Sequence, residues 1–220
     1  MSLKIKLVSF ALCPFVQRSV ILLREKQIVF ELEYIDLDQP PEWFLRLSPT
    51  GKVPLLLVDD AVLFESSVIL DFLDERFPPR FHPSDILKRA QHKSWIEYGS
   101  TLLMGMYGMA MATDRETFIE KKASLERDIE RLAEPLESGL FGEEGVFTLV
   151  DAAIAPLFMR LHYHKEFHQE GEVQMPASVS QWAARLLNRP SVQASVVDDF
   201  ADRYGAFLVE KKSWLLMQSG

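Results

Sequence analysis

The stretch Leu3-Lys4-Ile5-Lys6-Leu7-Val8-Ser9-Phe10-Ala11-Leu12-Cys13-Pro14-Phe15-Val16 decides the fold. Residues 3–9 alternate apolar and polar side chains, the period-two pattern of a half-buried strand. Phe10–Leu12 reads as a short loop, and Pro14 opens a helix that runs to about Lys26. Proline suits the first helical position because the N–H it lacks would have no partner there. Val16, Val20 and Leu23 fall at helical spacing, and Val29–Ile35 alternates again. Strand, helix and strand in this order favour a parallel pair joined by a right-handed crossover.

Further along, residues 41–47 read as a short helix and Ser48-Pro49-Thr50-Gly51 as a loop. Val53–Val58 is a compact apolar strand, Asp59-Asp60 a turn, Ala61–Phe64 a returning strand, and Glu65–Arg76 a helix. The pattern is βαβ followed by ββα. Phe77–Asp85 holds three prolines and reads as a linker. Beyond it the pattern is helical throughout, at about 86–111, 114–139, 149–165, 178–187 and 191–203. The expectation is a small α/β N-terminal domain over 1–78 and an all-α domain over 86–220. Thr148 and Asp151 stand at the spacing of a capping box, with Asp in the place of the usual Glu or Gln.

The 220 residues carry 24 Lys+Arg against 32 Asp+Glu, a formal charge of −8. An acidic chain is a poor phosphate-backbone binder, so no nucleic acid is expected as a partner. The hydrophobic fraction of 48% supports a sizeable core, and no apolar run reaches the ~18 residues of a membrane span. The only cysteine is Cys13, which excludes an internal disulfide and a thiolate zinc site. Lys4 and Lys6 precede an apolar run that Pro14 interrupts, and Leu12 is not a small processing residue. The reading is no export signal and a cytoplasmic setting.

Cys13 is the leading candidate for chemistry. It follows a strand and precedes Pro14, at the expected N-cap of a helix, where free N–H groups and the helix dipole favour a thiolate. A small buried hydrophobe is the commoner role of a free cysteine. Val16 stands where a two-cysteine redox motif has its resolving thiol, so a mixed disulfide on Cys13 needs an outside thiol. Val53-Pro54 begins an apolar strand. On the residues alone Pro54 reads as an ordinary trans proline, whereas a cis bond would expose the Val53 backbone to an extended ligand. Glu65 and Ser66 start a helix, and either simple capping or a carboxylate and ammonium site fits them.

Together, Cys13-Pro14-Phe15, Pro41-Glu42-Trp43-Phe44, Ser48-Pro49-Thr50-Gly51-Lys52-Val53-Pro54 and Glu65-Ser66 resemble the cytosolic glutathione transferases, in their cysteine-type, omega-like branch. The resemblance implies a glutathione transferase fold, with an α/β N-terminal thioredoxin-like domain and an all-α C-terminal domain, a homodimer, glutathione as co-substrate and no metal. It implies that Cys13 forms the mixed disulfide, that Phe15 lines its surroundings, and that Val53 pairs its backbone with glutathione before a cis Pro54. Glu65 and Ser66 would hold the γ-glutamyl end. Family members commonly carry a lysine directly before Pro-Glu-Trp-Phe, where this chain has Pro40, so Lys52 is the candidate substitute.

Several other residues have plainer readings. Met104, Met106, Met109, Met111 and Tyr107 suit an adaptable pocket, with core packing the expected role for most of the methionines. Trp214, Leu215 and Leu216 either cap a pocket or dock the terminus. His162, His164 and His168 read as a solvated helix end, and Glu143-Glu144 as an exposed loop. The enzyme expected is a thiol transferase acting on mixed disulfides, with dehydroascorbate and glutathionyl conjugates as further substrates. A hydroxyl-dependent conjugase is less favoured, since Ser9 lies on the strand and no tyrosine precedes Tyr34. The chain is also similar to stringent starvation protein A, an RNA-polymerase-associated regulator, through Leu73-Asp74-Glu75-Arg76-Phe77-Pro78. That alternative is a binding protein without turnover and needs no cysteine at position 13.

Overall fold

The computed structural model describes residues 3–141 and 145–217, so the acidic pair 143–144 lies outside the described residues. The first part folds as β1 (Ile5–Ser9), α1 (Pro14–Glu25), β2 (Glu31–Tyr34), α2 (Glu42–Leu47), β3 (Leu55–Val58), β4 (Ala61–Phe64) and α3 (Ser66–Arg76). The sheet order is β2-β1-β3-β4, with β1 parallel to β2 and the other pairs antiparallel. This is the βαβ–ββα order read from the pattern, in the thioredoxin-like arrangement that the family resemblance implied. Ile5 and Leu7 point with Leu56 and Val58 into the main core. Val8 and Leu55 face the other way, against Ile35 and Phe44 of α2. Lys6, between them, keeps its ammonium on Glu31 and Glu33.

The second part is helical: α4 (Ile86–Ala110), α5 (Arg115–Glu130), α6 (Ala133–Glu137), α7 (Leu149–Phe167), α8 (Ala177–Leu187), α9 (Pro190–Gln193), α10 (Phe200–Glu210) and α11 (Trp214–Met217). α7 is buried on nearly every side, and it packs on both α4 and α1. Its start is the capping box read from sequence, with the buried Asp151 carboxylate also accepting from Trp182 Nε1 at 2.6 Å.

Three expectations are corrected. The helix expected over 114–139 is interrupted between α5 and α6, because Pro135 cannot donate to the turn before it and its ring crowds that turn. The helix expected over 191–203 is likewise two helices, α9 and α10. Between them the Ser195 hydroxyl donates to the Val192 carbonyl, competing with a helical ladder bond. The third concerns His164, which is fully buried, with Nε2 2.7 Å from the Tyr204 hydroxyl. α7 continues to Phe167 and is covered there by α10 and α11, so this helix end is not solvated as a whole. Trp214 docks the terminus: its N–H donates to the Ala112 carbonyl at 2.8 Å and its ring lies 4.8 Å from that of Phe118.

Candidate active site

The turn after β1 places Cys13 as the N-cap of α1, with Pro14 in the first turn. The Cys13 N–H donates to the Phe10 carbonyl at 3.0 Å, and its own carbonyl accepts from Gln17 at 3.2 Å. The thiol Sγ lies 4.0 Å from the Val53 carbonyl oxygen, and the residue is half-buried. Burial pushes the thiol up from its ordinary value. The N–H groups of Val16 and Phe15, and the charges of Arg160 and Arg18, pull it back only in part. The helix N-terminus therefore acts in the direction expected from sequence, but desolvation outweighs it.

Cys13 and Phe15 form one wall of a cleft of about 700 Å³ between the α/β part and the helices. The opposite walls include Leu103, Met104, Met106 and Tyr107 of α4 and Tyr204 and Phe207 of α10. Of the clustered methionines, Met106 and Met109 are buried, while Met104 is exposed on the cleft. The rim carries Asp36, Asp38, Arg203, Glu210 and Lys211. A second cavity of about 490 Å³ surrounds Trp182 and Arg189 and does not reach Cys13.

Lys52, Val53, Pro54, Glu65 and Ser66 do not line this cleft; Val53 reaches Cys13 through its backbone carbonyl, and Ser66 touches Arg18. The Val53-Pro54 bond is cis, as the family resemblance implied and the residues alone did not. Val53 presents its carbonyl to Cys13, and Pro54 is buried. Lys52 is exposed, with no side-chain hydrogen bond or ion pair among the described residues. Glu65 is the N-cap of α3 at φ 68°, a left-handed conformation that costs a non-glycine residue about 1–3 kcal/mol. Ser66 is buried, and its Oγ accepts from Arg18 Nη1 at 3.3 Å.

Two buried arginines complete the site, and sequence reasoning did not single them out. Arg160, on α7, donates through Nη2 to the Leu12 carbonyl at 2.8 Å, which ties the residue before Cys13 to the helical part. Its Nη1 donates to Gln17 Oε1 at 2.7 Å and to the Pro156 carbonyl at 2.9 Å. Arg18, on α1, lies 5.1 Å from the Phe15 ring centroid and donates to Ser66, Ser100 and the Ala153 carbonyl. The available signal was an arginine inside an apolar helical face: Pro14, Phe15, Ile21 and Leu22 around Arg18, and Ala152–Leu161 for Arg160. Both guanidiniums are lowered to about 10 by burial and remain charged at neutral pH.

Among the described residues, no group of three or more His, Cys, Asp or Glu is placed to hold a metal ion. No helix of the described residues is long and apolar enough to cross a membrane.

Residues 12–76 match the family model of the glutathione S-transferase N-terminal domain. Pyrimidodiazepine synthase of Drosophila melanogaster is 33% identical, over 86% of this chain and 79% of that protein. Glutathione S-transferase omega-1 of Rattus norvegicus is 31% identical, over 89% of this chain and 81% of that protein. Among solved structures, rice GST1 in complex with glutathione superposes with a TM-score of 0.82 at 23% identity, covering 96% of this chain and 98% of that one.

Proposed function

The chain belongs to the cytosolic glutathione transferase superfamily, in its omega-like branch, and is a glutathione-dependent transferase or reductase; from that premise we propose that Cys13 is its nucleophile and thiol–disulfide exchange its chemistry. The observation that carries this reading is the position of the only cysteine: N-cap of α1, on the wall of the cleft, facing the Val53 carbonyl.

The Cys13 thiolate attacks the glutathionyl sulfur of a mixed disulfide R–S–S–G. A bond forms between the Cys13 sulfur and the glutathionyl sulfur, the S–S bond of R–S–S–G breaks, and R–S⁻ leaves with the electron pair of that bond and takes up a proton. A second glutathione thiolate attacks the glutathionyl sulfur on Cys13, releasing oxidised glutathione and the Cys13 thiolate. With no second cysteine, the resolving thiol comes from outside the chain.

Glutathione then lies with its cysteinyl backbone against Val53, before Pro54, and its thiol beside Cys13 and Phe15. Its γ-glutamyl end sits on Glu65 and Ser66, and Lys52 supplies the cation that Pro40 does not. The apolar walls formed by Leu103, Met106 and Phe207 suit a small apolar or disulfide second substrate. Dehydroascorbate and glutathionyl conjugates fit the same chemistry. A homodimer is expected, and Phe64, Val68, Ile86 and Leu87 are exposed apolar side chains available to it.

A non-catalytic regulator would have no use for a cysteine on the wall of such a cleft. The test is glutathione-dependent reduction of a small mixed disulfide by wild type and Cys13→Ser. Turnover lost in the variant supports the reading. Equal turnover in both would remove Cys13 from the mechanism.

A further inference from the structure

Arg18 is a fully buried cation held by neutral groups only. Nε donates to the Ala153 carbonyl at 3.0 Å, and Nη1 to Ser100 Oγ at 2.9 Å and Ser66 Oγ at 3.3 Å. Nη2 is buried with no hydrogen-bond partner among the described residues. It packs beside Gly99 of α4, where an added Cβ would lie 3.3 Å from it. No carboxylate stands within ion-pair distance among the described residues, and Glu97 and Cys13 act on Arg18 only through their fields. A buried charge without a counter-charge costs several kcal/mol, and such a departure from ordinary packing is expected where a residue serves a functional site.

Its contact with Ser66 identifies the part of the site it serves. Ser66 is the first residue of α3, an 11-residue helix whose first N–H groups have no partner within the helix. A hydroxyl that accepts from a guanidinium keeps its own proton free to donate, and donates it more strongly. We propose that Arg18 is the positioning residue for the γ-glutamyl carboxylate of the thiol co-substrate, acting through Ser66. The same guanidinium lies against Phe15, so the anion end of the site and the turn carrying Cys13 share one buried charge. The proposal rests on the reading of Glu65 and Ser66 as the γ-glutamyl subsite.

The experiment compares two resolving thiols in the same disulfide assay: glutathione and N-acetyl-cysteinylglycine, which has an acetyl group in place of γ-glutamate. Wild type prefers glutathione in kcat/KM. Arg18→Met reduces that preference about tenfold, the scale of one charge-assisted hydrogen bond, through KM for glutathione with the N-acetyl peptide little changed. Arg18→Lys keeps the charge but cannot span Ser66, Ser100 and Ala153 together, so it gives an intermediate loss. It carries the comparison if Arg18→Met does not fold. Ser66→Ala loses the preference too, and the double variant falls no further than the larger single loss.

Equal loss with both thiols would make Arg18 merely structural and overturn the proposal. So would an unchanged preference in the Arg18 variants while Ser66→Ala loses it. A preference kept by Ser66→Ala would overturn the subsite reading and the proposal with it.

Discussion

Asp151→Ala removes one buried acceptor from three buried donors. Its Oδ2 accepts from the Thr148 N–H at 2.7 Å and the Thr148 hydroxyl at 2.8 Å, and its Oδ1 from Trp182 Nε1 at 2.6 Å. Each orphaned donor costs about 1–3 kcal/mol. The variant also removes a desolvated carboxylate, since burial is the largest influence on Asp151 and raises its pKa. That relief brings the net loss to about 3–5 kcal/mol. For a chain of this size the melting temperature falls by about 6–20 °C.

The assay is thermal and urea unfolding, read by circular dichroism, of wild type, Asp151→Ala, Trp182→Phe and the double variant. Trp182→Phe removes one donor and keeps the ring contacts with Phe141 and Phe158. Its cost is smaller, and Asp151→Ala costs about 1 kcal/mol less in its background. An Asp151→Ala variant within about 1 kcal/mol of wild type would refute the reasoning, because the three donors would then have other partners. Activity follows stability here, since α7 carries the Arg160 that holds the Leu12 carbonyl beside Cys13.

Three further outcomes are expected. His164 is held at about 3, mainly by burial and then by Arg160, below its unfolded value. Its contribution to stability is therefore complete above about pH 6.5 and is lost as pH falls toward 3, by up to about 1.4 kcal/mol per unit. Urea titrations at pH 7 and 4.5 should show a smaller acid loss in His164→Gln than in wild type. Iodoacetamide alkylation of Cys13 in the free protein should titrate above the ordinary thiol value, and higher still in Arg160→Met, since burial raises the thiol and Arg160 lowers it. A midpoint below the ordinary value would contradict this. Fragment 1–80 should not fold cooperatively, because Gln17 and Arg18 of α1 are buried against Met159, Ser195 and Ala153 of the helical part. A soluble fragment with a sharp unfolding transition would contradict it.

The parts of the fold that were legible in the sequence are those set by local chemistry. Strand alternation and Pro14 placed β1 and α1, and the Thr148–Asp151 spacing placed the start of α7. What failed depends on neighbours distant in the chain. His164 looks solvated by its spacing, but α10 covers it with Tyr204, 40 residues away. The helix N-cap argued for a lowered Cys13 thiol, whereas desolvation by the packed helices decides the direction. Arg18 and Arg160 reach carbonyls 135 and 148 residues away, and no window of sequence contains those pairs. Pro135 was the exception, a local signal that should have ended the helix expected there.

The central claim is that Cys13 carries the glutathionyl group. Intact-mass measurement after exposure to oxidised glutathione tests it most directly. The account predicts one glutathione adduct per wild-type chain, located at Cys13, reversed by reduced glutathione and missing from Cys13→Ser. A folded wild-type protein that acquires no adduct would contradict it.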